Sequence, residues 1–338
     1  MTSHTNMLYL NAEVYNMADK IDIKKIDEQL ENKEVVESLD ESKDFGEIIE
    51  EGRANLFGLY KKSRLRSNIL MGVTVALLIA AFIMISNTEI PALPIIGYSI
   101  AGVVVVGMVT YYILTKNKFP AETKKYIELV TRSLNGYAFK GNEFKDVTNY
   151  VDEKLEIGEV SSDLVYNNIT SIGSRNVVKG TYHGRSFLVA DAALYFGDNR
   201  SRKAHFVGKY ISYKNDLSFE KRFVLVKKAE EPVDQPNAIE DLTLLATENG
   251  VEIYGVEGAN YKDVLSTKFI KGIGDIQLDS NLLNVAVTIW GGHSACYLSY
   301  SDEVISLPFD REFNRDAFVK YVDVQNQIFE IFKTLLEK

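Results

Sequence analysis

Cysteine is almost absent from this chain: Cys296 is the only one in 338 residues, which excludes an internal disulfide and any zinc site built on paired thiolates. Proline is scarce too, at six residues, and with 22 glycines the composition suits neither a fibrous repeat nor a proline-rich chain. Only four histidines occur, and His4, His183, His205 and His293 do not fall at metal-ligand spacing. The sequence also contains no phosphate-binding glycine loop, zincin helix motif, nucleophile elbow, paired-cysteine motif or dinucleotide-binding glycine motif. No metal, cofactor or small-molecule substrate is therefore expected. What remains, 46% hydrophobic and 25% charged positions, is the balance of a folded protein.

The most consequential absence is local. Residues 67–86 (SNILMGVTVALLIAAFIMIS) and 95–114 (IIGYSIAGVVVVGMVTYYIL) hold no ionisable side chain other than tyrosine over 20 positions each, and a helix of that length spans roughly 30 Å, the thickness of a hydrocarbon core. Both segments read as spanning helices. The eight residues between them carry Pro91 and Pro94, so the helices form an antiparallel hairpin. Two buried helices of a soluble core are the competing reading, opposed by the missing charges and the basic flanks. Lys61, Lys62, Arg64 and Arg66 precede the first run, and Lys116, Lys118, Lys124 and Lys125 follow the second, while the loop holds only Glu89. The positive-inside bias places both termini in the cytoplasm of a multi-pass cell-membrane protein, with these eight side chains as candidate lipid contacts.

Within the runs, Gly72, Ala76 and Ala80 share one helix face, as do Gly97 and Ala101. Such rows let backbones approach closely in lipid. Packing within the hairpin is favoured over a dimer interface. No proton or ion pathway is expected without ionisable groups inside the spans.

Charge is concentrated at the other end. From Asp19 to Glu51 there are 13 acidic and 5 basic side chains, a net of -8 against -9 for the whole chain. The rest is nearly neutral, which argues against nucleic acid as a partner. We expect a mobile stretch over 1–18 and acidic helical cytoplasmic structure over 19–66, as two helices with a break near 42–46, the second either ending before the first apolar run or running on into it. The hairpin fills 67–114, and a juxtamembrane helix and linker fill 115–150. From 151 to 312 short β-rich runs dominate, at 177–182, 185–196, 209–213, 219–227, 242–247, 251–254, 276–278, 285–290, 296–300 and 304–307. His183-Gly184 and Asn249-Gly250 read as tight hairpin turns. Residues 230–237 read as a connection, and 313–338 as a closing amphipathic helix capped by Asn314. The expected fold is thus an α+β membrane protein: acidic helices, a two-helix hairpin, and a mostly antiparallel β-rich cytoplasmic domain closed by a C-terminal helix.

Candidate chemistry is sparse. His293 lies three residues before Cys296, and an imidazole-activated thiol is a legitimate nucleophile where the two meet, as in a membrane-bound hydrolase. Positions three apart on one strand point to opposite faces, however, so this pair needs a turn between its members. Arg200, Arg202, Lys203 and Lys209 form a basic patch that either touches anionic lipid or caps a solvated hairpin. Asp191, flanked by alanines within an apolar strand, is either a satisfied structural acid or a site residue.

The order of these features resembles an uncharacterised bacterial family of two-span membrane proteins. Glu50-Glu51-Gly52-Arg53 precedes the hairpin, Leu134-Asn135-Gly136-Tyr137 ends the basic helix, and 178–191 (VKGTYHGRSFLVAD) matches the family's strand-turn-strand. Its likeness spans about residues 45–337. This chain departs from the family in Asp191-Ala192-Ala193, where an aromatic is common, and in its longer acidic arm. The resemblance implies topology and carries no activity. We therefore expect a non-catalytic, membrane-anchored scaffold or binding module, acting on lipid, a protein partner or a second copy. A regulatory subunit of a larger membrane complex is the alternative besides the hydrolase.

Overall fold

The computed structural model describes residues 34–35, 44–87, 89–115, 118–150, 153–163, 165–166, 168–197, 203–217, 221–229, 242–301 and 312–335. The chain divides into two compact units, 1–35 and 36–338; of the first, only the extended pair Glu34–Val35 is described. The expected mobile stretch 1–18, the first acidic helix, the connection 230–237 and the strand 304–307 lie outside the described residues.

The second unit is α+β. Its first helix, α1, runs from Phe45 to Ser86, 42 residues without a break, or roughly 60 Å. Asp44 caps its start by accepting a hydrogen bond from the Gly46 amide at 3.0 Å. Phe45, Ile49 and Leu56, spaced for one helix face, are buried. Past residue 64 the same helix exposes Leu65, Ile69, Met71, Ile79 and Phe82. Asn87 ends it, and the Asn87 side chain accepts from the Glu89 amide at 3.2 Å to reverse the chain. Helix α2, Ala92–Thr115, returns alongside.

Both α1 and α2 are long and apolar enough to cross a membrane, and only 11% of the most apolar window of each is buried. Core helices of a soluble protein would be mostly covered. The closest approach between them is at Gly97, where a Cβ would sit 2.7 Å from the Ala81 carbonyl oxygen. Thr74 and Ala81 on α1, and Gly97 and Val104 on α2, form the buried seam.

Helix α3, Lys118–Ala138, leads back to the sheet and presents Tyr126, Val130, Leu134 and Ala138 at four-residue spacing as its buried face. Gly52 lets α1 and α3 meet: a Cβ there would lie 2.8 Å from Leu129 Cδ2.

Then follow β1 (Phe144–Tyr150), the short α4 (Ile157–Ser161), β2 (Ser171–Tyr182), β3 (Arg185–Phe196), β4 (Lys203–Lys214), β5 (Phe223–Lys228), β6 (Thr243–Glu248), β7 (Val251–Gly255), α5 (Thr267–Asp275), β8 (Leu282–Trp290), β9 (His293–Tyr300) and α6 (Arg315–Thr334). The strands order as β1-β2-β3-β4-β9-β8-β5-β7-β6, antiparallel at every described junction. The β8–β9 hairpin therefore inserts between β4 and β5, which leave a gap for it. His183-Gly184, Asn249-Gly250 and Gly291-Gly292 all have positive φ at both residues, the geometry of two-residue hairpins whose twist matches the strands.

Alternation along the strands sorts the side chains to two faces. Val178, Phe187, Val189, Ile211, Tyr213, Val287, Cys296 and Leu298 pack on one face with residues of α1, α3, α5 and α6. Val177, Ala190, Leu194, Phe206, Tyr210, Ala286, Ala295 and Tyr297 fill the other, covered by Leu155, Val160, Val165 and Tyr166. Each such fully buried aliphatic or aromatic side chain contributes about 1.5–3 kcal/mol relative to exposure. Helix α6 starts where the sequence places it: Asn314 accepts from the Ala317 amide at 3.0 Å. It lays Phe318, Val322, Ile328, Phe329 and Phe332 on the sheet, sharing that face with α3 and α5 rather than closing it alone.

Two elements differ from the sequence reading. Residues 276–278 are not a strand; α5 precedes them, a helix despite Gly272 and Gly274, because Ser266 caps it through the Phe269 amide at 3.1 Å and the glycines admit Ile331 and Asn249. Residues 144–150 are the strand β1, whose alternation is broken by a bulge after Lys145, with Asp146 at φ 52. The second acidic helix runs on into the first apolar run as one rod, α1, as the sequence reading allowed.

The β4–β9 junction is tight at Gly208, where a Cβ would lie 1.8 Å from the Leu298 carbonyl oxygen, whereas at Gly173 the nearest atom is an ordinary 3.5 Å away. Gly208→Ala should destabilise by about 3 kcal/mol or more, and Gly173→Ala by less than about 0.5 kcal/mol. Chemical denaturation of the two variants checks this.

Candidate functional site

On the face covered by residues 153–166, Asp163 is fully buried. Its Oδ2 accepts from the Tyr297 hydroxyl at 2.7 Å and the Tyr210 hydroxyl at 3.0 Å, and its Oδ1 lies 2.7 Å from His293 Nε2. The Asp163 carbonyl accepts from Thr288 Oγ1 at 3.3 Å. Burial first, and the neighbouring Asp163 charge second, push both phenols well above their ordinary range, so they stay protonated and donate. A carboxylate only accepts, which places the proton of a neutral His293 on Nε2 and leaves Nδ1 as the free ring position.

His293 is held at this place by its turn. The Asn215 amide donates to the Gly292 carbonyl at 2.8 Å, and Asn215 Nδ2 donates to Ser294 Oγ at 2.7 Å, fastening the β8–β9 hairpin to the end of β4. The guanidinium of Arg222 lies over the Trp290 ring at 5.6 Å, and its Nη2 donates to the Ser162 carbonyl at 3.4 Å. Burial lowers the Arg222 pKa, and Asp163 partly restores it.

Beside this cluster the covering segment stops, leaving a groove of about 420 Å3 lined by Lys179, Ser186, Leu188, Ser212, Lys214, Gly292 and His293, with the Phe187 backbone strand beneath. The strand register explains the grouping: Lys179 is opposite Leu188, Leu188 opposite Ser212, and Lys214 opposite His293. This is the only part of that face where polar side chains and open volume coincide with an oriented histidine among the described residues.

The helix-covered face has its own buried polar network. Asp191 and Lys209 are direct cross-strand partners. Asp191 Oδ1 lies 3.5 Å from Lys209 Nζ and accepts from the Tyr321 hydroxyl at 3.0 Å, while its Oδ2 accepts from Asn176 Nδ2 at 3.3 Å. Asn176 in turn accepts from Asn135 Nδ2 at 2.8 Å. Lys209 also stacks over Tyr321 at 4.5 Å. Burial lowers its pKa, opposed by Asp191. Asp191 is thereby a satisfied acid joining α3, β2, β3, β4 and α6, with no cavity beside it among the described pockets.

The remaining candidates are placed as follows. Cys296 is fully buried on the helix-covered face and His293 lies on the other, so the sheet separates them. No turn interrupts β9 between the two, and burial pushes the thiol well above its ordinary value. Lys209 belongs to the buried network and not to a surface patch, because its odd position on β4 faces the helices. Arg200, Arg202 and the side chain of Lys203 lie outside the described residues. Lys61, Lys62, Arg64 and Arg66 are exposed on α1, as are Lys124 and Lys125 on α3; the latter two pair with Glu128 at 3.8 Å and Glu122 at 3.0 Å. Lys116 and the side chain of Lys118 lie outside the described residues. Gly97 is buried in the α1–α2 seam and Ala80 and Ala101 are half-buried, while Gly72 and Ala76 are exposed. The seam follows Thr74 and Ala81 instead of the Gly72 row.

Sequence reasoning missed Asp163, Tyr210 and Tyr297. Their only advance signal was a tyrosine at alternate positions of two apolar strands, too common to single out.

Removing Asp191 alone strands a buried ammonium, so Asp191→Ala should cost about 3–5 kcal/mol. The pair Asp191→Leu with Lys209→Met should cost less than Asp191→Ala. A denaturation double-mutant cycle on the detergent-solubilised chain measures both.

No protein-family model matches the chain, and no curated protein matches it. Among solved structures, that of the mycobacterial trehalose monomycolate transport factor A, TtfA, is similar at 14% identity and a TM-score of 0.33, over 60% of this chain and 93% of that one. A likeness of that size carries no argument about this chain.

Proposed function

We propose that this chain is a membrane-anchored binding module: the α1–α2 hairpin inserts in the bilayer and holds the β-rich domain at the cytoplasmic leaflet, where the domain binds without catalysis. One observation carries the reading. Helix α1 is buried at its first half and offers bare apolar side chains along its second, and a contiguous apolar surface of that extent is favourable only against lipid or a partner.

Several features support the rest. Exposed Lys61, Lys62, Arg64 and Arg66 stand immediately before the apolar stretch, and the loop at its far end carries Glu89 alone, as the positive-inside bias requires for cytoplasmic termini. The helical ladder satisfies the backbone inside both apolar helices, and Ser99 donates to the Ile95 carbonyl at 2.9 Å. The anchor is stiff: Glu50 accepts from Arg53 Nε at 2.8 Å and from the Phe313 amide at 3.2 Å, tying α1 to the chain just before α6. The Phe45 ring lies 4.4 Å from that of Tyr137 and 5.7 Å from that of Phe318.

The test is topology in cells. With buried Cys296 left in place, a membrane-impermeant maleimide should label Glu89→Cys on intact cells and Lys62→Cys only after permeabilisation. Labelling of Lys62→Cys on intact cells would contradict the proposed orientation.

A further inference from the structure

The geometry points to the groove beside His293 as a binding site for a phosphate monoester group. Alternation on β2, β3, β4 and β9 brings Lys179, Ser186, Ser212, Lys214 and His293 to one wall system around the apolar floor of Leu188. Beyond Asp163 and His293, along the strands from Tyr210 and Ala190, the same face turns to two ammonium groups, two hydroxyls and a ring nitrogen. No carboxylate lines the groove among the described residues.

Each nearby described acid is already paired, and none lines the groove. Asp163 is sealed beneath His293, Asp216 pairs with Arg185, and Glu153 pairs with Lys179 from outside the lining. Lys214 is exposed and makes no ion pair with a described residue. Its cross-strand partner is His293, an arrangement of two potential cations side by side that an anion between them favours.

Two ammonium groups and two hydroxyls offer more donors than the two oxygens of a carboxylate use, whereas a phosphate monoester presents three terminal oxygens and up to two negative charges. About 420 Å3 lies within the range of small-ligand sites, roughly 300–1,000 Å3. Leu188 offers contact to an apolar portion attached to the phosphate. Asp163 fixes the His293 ring, so that Nδ1, the acceptor of the neutral ring, can take a hydrogen bond from the hydroxyl of a singly protonated phosphate without reorganisation. The same headgroup chemistry occurs in a soluble phosphate ester and in a phosphatidic acid. This site goes beyond the anchoring role and is measured in detergent, so its failure leaves the membrane reading standing and the converse holds as well.

Isothermal titration of the detergent-solubilised full chain with glycerol 3-phosphate, dihexanoyl phosphatidic acid and, as control, dihexanoyl phosphatidylcholine tests the site. Saturable binding of either phosphate monoester is expected, with Lys214→Ala weakening it about tenfold and leaving the melting temperature unchanged. Glu153→Gln should tighten it by releasing Lys179. Equal affinity for both monoesters identifies a soluble ester as sufficient, and binding of phosphatidic acid alone identifies the lipid. No saturable binding of either, or binding that Lys214→Ala and Lys179→Ala leave unchanged, overturns the assignment.

Discussion

A single uninterrupted helix, buried at one end and bare at the other, is the constraint on which the rest of the molecule depends. The first half of α1 is part of the same apolar cluster as α3, α6 and the sheet; its second half packs, among the described residues, on α2 alone. No flexible joint separates the two regimes. Whatever solvates the apolar half therefore sets where the sheet stands, through the Glu50 bond from the Phe313 amide and the Gly52 approach to α3.

The sheet is stabilised in two different ways on its two faces. On the helix-covered face, aromatic stacking and aliphatic burial surround one ionic network, centred on Asp191 and Lys209. On the other face a shorter cap relies on Asp163, which collects three donors from two strands. Buried polar groups are costly unless fully partnered. Both acids sit at crossings of elements distant in sequence, which makes them devices of register and docking more than of net stability. Of these two networks, it is the Asp163 cluster that reaches a groove, through His293.

Much of this was legible in the sequence for local reasons. The apolar runs, the turn pairs and the Asn314 cap are signals contained within a few residues, and β3 matches its expected bounds because a mostly apolar run follows directly on the His183-Gly184 turn. Helix α5 was not legible, since two glycines lower its propensity and only the close approach of Ile331 and Asn249 explains them. Strand β1 was hidden by its bulge. The candidate site fared worst: His293 was noticed through Cys296, yet the alternation of β9 sends the two to opposite faces, and its actual partner, Asp163, is 130 residues away. Side-chain networks of that kind leave no period to read.

The central claim is that lipid surrounds the bare half of α1. Spin labels at Ile79 and Val103, both exposed, in the chain reconstituted into vesicles measure this through collision with oxygen and with a water-soluble nickel chelate. The account predicts high collision with oxygen and little with the chelate at both positions, and the reverse at Glu47. Ready collision of the chelate with the labels at Ile79 and Val103 would contradict it.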